Sequence, residues 1–214
     1  MNRLEALGYW FSELAPSELP LPQRLVAPWP ARDRGAVIAW LRAGKELVAY
    51  LGQSWCRFGC GERDMGCRDL TDGTFVWPEG LVHYVERHDV RLPERFVAHV
   101  LAHGGTMPRF VVPEPTFGRV DPAPWLAWGR EQGACLDLAG WQRPTPEDAR
   151  RIAADLAAAR DARIVLFRTD PREVVLQSTA GALAVHRVTP SGHPVRHLAG
   201  WHEWPAAAPV ARSG

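Results

Sequence analysis

Residues 53–73 read QSWCRFGCGERDMGCRDLTDG, about twenty positions that follow neither the helical nor the strand hydrophobic period. A run of that length without periodicity is uncommon inside a compact domain unless it is functional or held in place by something. It carries three of the chain's four cysteines, and its Asp72-Gly73 end is a turn signal. Directly behind it comes TFVWPEGLVHYVERH. The spacing predicts a strand over 74–77 and a helix over 79–88, with Pro78 in the first helical turn, where its fixed φ and missing N–H cost nothing. The chain therefore has to build helices and a small sheet around one irregular, thiol-rich segment.

The rest of the pattern is α+β. Residues 1–14 read as a short helix and the remainder of 1–30 as a Pro-rich arm lying across its own domain. A helix over 34–43, capped by Asp33 and Gly44, precedes a strand over 46–51. Pro93 opens a helix that runs to His103, and a short strand over 109–112 follows. In the second half, a helix over 122–131 and a strand over 134–138 lead to Thr145-Pro146-Glu147-Asp148, a cap, a first-turn Pro and an acid three residues on. That helix extends to about residue 160. Strands over 163–167, 173–177, 182–189 and 195–198, separated by turn residues, form an antiparallel meander. The expected organisation is an arm over 1–30, a helix-and-sheet module over 31–105, a connector over 106–120, an α+β module over 121–205 and a frayed tail over 206–214.

Composition narrows the function classes. A net charge of +1 gives no basic footprint for nucleic acid. No apolar run approaches a membrane span, and the first residues lack a signal-peptide core, so four cysteines point to reduced thiols in the cytoplasm. Ten tryptophans suit half-buried anchors at an interface. A Gly-x-Ser-x-Gly elbow and a phosphate-binding Gly-x4-Gly-Lys loop are both absent.

The candidate residues cluster in 55–88. Cys56, Cys60 and Cys67 offer three thiolates, with His83 or His88 as a fourth ligand, a set that suits tetrahedral Zn²⁺. The Cys-x3-Cys-x6-Cys spacing is nevertheless not the tight Cys-x2-Cys knuckle, so the expectation is no cofactor, with zinc as the alternative. His99 and His103 have the spacing of two ligands on one helix face but lack the Glu of a zinc-protease helix. Trp55, Arg57, Phe58, Trp77, Glu79 and His83 are the expected binding surface, and no residue is assigned a catalytic role.

Ser54-Trp55-Cys56-Arg57-Phe58, Leu70-Thr71-Asp72-Gly73, Trp77-Pro78-Glu79-Gly80-Leu81, His83-Tyr84-Val85 and Leu92-Pro93 together resemble a string shared by uncharacterised bacterial proteins, over roughly residues 35–100. The resemblance carries no activity and implies only that 55–88 is one structural module. The functional expectation is a cytoplasmic protein-binding module of the immunity or antitoxin kind, whose partner is another protein and neither nucleic acid nor membrane. The alternatives are a zinc-stabilised domain and a hydrolase-like enzyme using Cys56, Cys60, His83 and Glu79.

Overall fold

In the computed structural model, residues 3–12, 17–114, 119–156, 159, 161–169, 172–188 and 194–195 are described. In chain order the elements are β1 (Leu4–Ala6), a 3-10 turn (Pro22–Leu25), α1 (Ala31–Ala43), β2 (Lys45–Ala49), β3 (Arg68–Thr71), β4 (Phe75–Pro78), α2 (Leu81–His88) and α3 (Glu94–Ala102). They continue with β5 (Val120–Asp121), α4 (Ala123–Glu131), α5 (Pro146–Asp155), β6 (Ala162–Thr169), β7 (Arg172–Ser178), β8 (Leu183–Val188) and β9 (Pro194–Val195). The fold is α+β: a mixed sheet ordered β2-β3-β4-β1-β5 and an antiparallel meander β6-β7-β8-β9.

The irregular segment is more ordered than its lack of period suggests. β2 and β3 pair antiparallel, and the pairing continues beyond both strands. The Tyr50 N–H reaches the Cys67 carbonyl at 2.8 Å, Ser54 reaches Gly66 at 3.0 Å, Met65 returns to Ser54 at 3.1 Å, and Cys56 reaches Glu62 at 3.0 Å. Residues 50–67 are thus a ribbon that prolongs the β2–β3 hairpin, with Cys56 and Cys60 at its tip. Glycines, a Met and alternating charges replace the alternation that would mark a strand, which is why β3 was expected to be loop.

Two other expectations change in this half. Residues 4–6 are a strand and not part of a helix, and they lie inside the sheet, parallel to both β4 and β5. Leu4 and Ala6 are buried and Glu5 alternates with them, the two-residue period of a strand too short to read alone. Pro78 is the last residue of β4, opposite Asp69, and Gly80 occupies the cap of α2. The strand-to-helix corner at Trp77–Leu81 is present, with the helix starting two residues later than expected. Pro can end a strand there because its missing N–H removes only a terminal bond.

α1, α2 and α3 pack together over the mixed sheet around Trp40, Trp77, Leu81, Tyr84, Val85, Phe96 and Val100. α4 adds Trp125 and Trp128 to the same core and rests against β1. Residues from both sides of the expected connector therefore share one sheet and one core. The arm also reaches the meander, since Phe11 and Leu21 pack with Val165, Val175, Leu183 and Val185. Residues 109–112 and 134–138 are not strands. Residues 196–198 and the tail over 206–214 lie outside the described residues. Among the described residues no helix is long and apolar enough to cross a membrane.

The start of α5 is the expected capping box: Asp148 N–H donates to Thr145 Oγ1 at 3.2 Å, and Thr145 N–H donates to Asp148 Oδ2 at 3.1 Å. The helix buries Ile152, and with the following Leu156 covers Phe167, Val174 and Leu176. Thr145→Ala removes one partner of the box and is expected to cost about 1 kcal/mol, read as a lower denaturation midpoint at constant m-value. An unchanged midpoint would count against the cap.

Candidate metal centre

At the tip of the ribbon the backbone folds tightly over the first cysteine. The Phe58 N–H donates to Cys56 Sγ at 3.4 Å, and the Gly59 N–H to the Cys56 carbonyl at 3.1 Å. Gly59 and Gly61 take left-handed φ values of +65° and +93°, which lets the chain reverse around Cys60. An N–H aimed at sulfur is a contact that a thiolate accepts better than a thiol.

α2 supplies the opposing groups. His83 and His88 are five residues apart, about 140° around a helix, so they flank the tip rather than stack on one stripe. Cys56 Sγ lies 3.2 Å from His88 Nε2, Cys60 Sγ lies 3.4 Å from His83 Nε2, and the two Nε2 atoms are 3.2 Å apart. The four donor atoms all fall within 4.8 Å of one another, and the group could hold a metal ion. Ligands at about 2.0–2.3 Å from a tetrahedral ion stand about 3.3–3.8 Å apart, so these three contacts are close to tetrahedral edges.

Neighbours fix the ligands from outside. The Phe58 ring stacks on His88 with centroids 4.1 Å apart and planes 4° from parallel. The Tyr84 hydroxyl accepts the Arg57 N–H at 3.1 Å and so ties the middle of the tip to α2. Arg57 also lays its guanidinium over Trp55, 4.2 Å from the ring centroid.

Burial sets the charge states. It pushes the Cys56 thiol up to about 12. His88 is lowered to about 4, first by burial and then by its neighbour His83, which burial also lowers. Both imidazoles are therefore neutral at pH 7, the state that donates a lone pair to a metal. A nucleophilic Cys–His pair needs the reverse, a thiol lowered and a histidine raised toward a thiolate–imidazolium couple.

Of the expected ligands the structure brings together Cys56, Cys60 and both His83 and His88, which were expected as alternatives, and it leaves out Cys67. Cys67 lies at the base of the ribbon, where its N–H donates to Glu79 Oε2 at 3.2 Å and its carbonyl accepts from Tyr50, and it is not a member of the group. The expected binding surface loses Trp77, which is fully buried on a central strand with its indole N–H 3.4 Å from the Leu41 carbonyl. Glu79 is held by Arg68, whose Nε donates to Oε2 at 3.0 Å, and the Arg68 guanidinium keeps this carboxyl below the usual range. His99 is at a different place altogether, 3.2 Å from the buried Asp72 carboxylate, and His103 Nδ1 lies 2.9 Å from the His99 carbonyl. His88 was expected only as an alternative to His83; the ribbon register is what brings in both and leaves Cys67 outside.

Comparison with family models, with curated proteins and with solved structures finds no match in any of the three.

Proposed function

We propose that the chain is a zinc-stabilised domain in which Cys56, Cys60, His83 and His88 hold one Zn²⁺ in a structural centre. The convergence of two sulfurs and two imidazole nitrogens carries this reading. Two thiolates and two neutral imidazoles match the donor preference of Zn²⁺, and four protein ligands complete a tetrahedron with no position left for substrate water. The role is then recognition rather than hydrolysis. The metal would fix a face made of Trp55, Arg57, Phe58 and the edge of His83 for a protein partner, with Trp77 serving the core behind it. This reading reverses the expectation of no cofactor drawn from the cysteine spacing, because α2 supplies two ligands and the centre needs only Cys56 and Cys60 of the cysteines.

The test is metal content after purification without added metal. About one zinc per chain is expected, lost in Cys60→Ser and in His88→Ala and retained in Cys67→Ser. Zinc lost in Cys67→Ser and kept in His88→Ala would assign the centre to the wrong ligands. Protein without zinc that cannot be loaded with it would remove the reading.

A further inference from the structure

One side of the ribbon tip meets the turn between β7 and β8. The Leu183 N–H, at the start of β8, donates to the Arg57 carbonyl at 3.3 Å. The same carbonyl accepts from Gln23 Nε2 of the 3-10 turn at 2.6 Å. Gly59 lies so close to Ala182 that an added Cβ would stand 2.9 Å from the alanine Cβ and 3.0 Å from its backbone nitrogen. On the other side of the joint, a Cβ on Gly181 would stand 3.3 Å from Trp55 Cδ1. The β7–β8 turn is itself closed by Gly181 N–H to the Ser178 carbonyl at 2.9 Å and by Ala182 N–H to Ser178 Oγ at 3.1 Å. A pre-shaped turn thus seats on a pre-shaped tip.

Arg57 and Gly59, which make these contacts, lie between the two cysteines of the candidate centre, so whatever fixes Cys56 and Cys60 to α2 also fixes the seat. We propose that the metal-bound tip is the docking surface for the β7–β8 turn, so that zinc binding and docking of this corner of the meander are one linked equilibrium. This inference rests on the zinc reading above. The rest of the meander has its own anchor in Phe11, Leu21 and Leu136, which sets how far the effect spreads. Loss of metal frees the 178–183 corner and leaves the centre of the β7–β8 ladder, at Val175 opposite Val185, in place. Linkage is reciprocal: a change in the turn that abolishes docking weakens zinc by the factor by which zinc favours docking, and a partial one by less.

Two measurements on the full chain test this. The first is amide hydrogen exchange of zinc-loaded and zinc-stripped protein. Stripping is expected to speed exchange of Ala182 and Leu183 at least about tenfold, with the amides of residues 173–176 unchanged. The second is zinc affinity, by competition with a chromophoric chelator, in Ala182→Leu, which crowds Gly59 without touching a ligand; a loss of about tenfold is expected. If zinc binds stoichiometrically but neither Leu183 exchange nor the affinity of the variant changes, the coupling is wrong and the zinc centre stands. Equal acceleration at every amide would also overturn it, since the metal would then hold the whole fold and not this joint. If no zinc binds, both proposals fall.

Discussion

Stripping zinc from the protein is expected to lower its unfolding temperature by about 8–16 °C. At free zinc a thousandfold above Kd, binding contributes about 4 kcal/mol, and a domain of this size shifts about 2–4 °C per kcal/mol. A pH series separates the two states. In the metal-free protein the folded His88, lowered to about 4, binds its proton less readily than the unfolded side chain with its ordinary value of 6.5. Stability present above pH 6.5 is therefore lost as the pH falls toward 4. In the loaded protein, zinc must displace the proton of Cys56, whose thiol is raised to about 12, so zinc affinity climbs with pH across the neutral range. A melting temperature indifferent to a chelator at pH 7.5 would contradict the expected loss on stripping.

Asp72→Ala is expected to cost about 2–4 kcal/mol, because a buried N–H left without an acceptor costs about 1–3 kcal/mol and this carboxylate serves more than one. The Asp72 side chain is completely buried. Its Oδ1 accepts the N–H groups of Thr74 at 2.8 Å and Phe75 at 2.7 Å, which shapes the turn between β3 and β4. Its Oδ2 accepts the indole N–H of Trp40 at 3.1 Å and stands 3.2 Å from His99 Nε2. The alanine removes the acceptor of the Thr74, Phe75 and Trp40 N–H groups, and Trp40 has no access to water. Asp72→Asn keeps the shape but replaces one acceptor oxygen by a donor, so a loss of about 1–3 kcal/mol is expected. Denaturant midpoints at constant m-value read both changes; an alanine variant within 1 kcal/mol of the parent would show that the carboxylate does not organise this corner.

The helices and the meander were legible because each declares itself locally. α5 begins with a complete capping box, and β8 alternates buried Leu183 and Val185 with half-buried Ala184 and His186. What was not legible depends on partners distant in sequence. β1 is three residues long and is a strand only because β4 and β5 lie on either side of it. β3 buries Asp69, a residue that disfavours strands, because Tyr50 donates its hydroxyl to that carboxylate at 2.8 Å. Trp77 has a Pro beside it and looks like a loop anchor, yet it sits on a strand whose far face is roofed by α1. The site divides in the same way. Cysteine density marked the segment, and His83 followed from its place on α2. The exchange of Cys67 for His88 follows from ribbon pairing: Cys67 opposite Tyr50 is near the base, and Cys56 opposite Glu62 is near the tip.

That exchange makes the ligand set the most direct test of the account. X-ray absorption at the zinc edge, on protein loaded with one equivalent, counts sulfur and nitrogen neighbours independently of stability or activity. Two sulfurs at about 2.3 Å and two imidazole nitrogens at about 2.0–2.1 Å are predicted. Three sulfurs, which would bring in Cys67, or a shell of oxygen alone would contradict the centre described here.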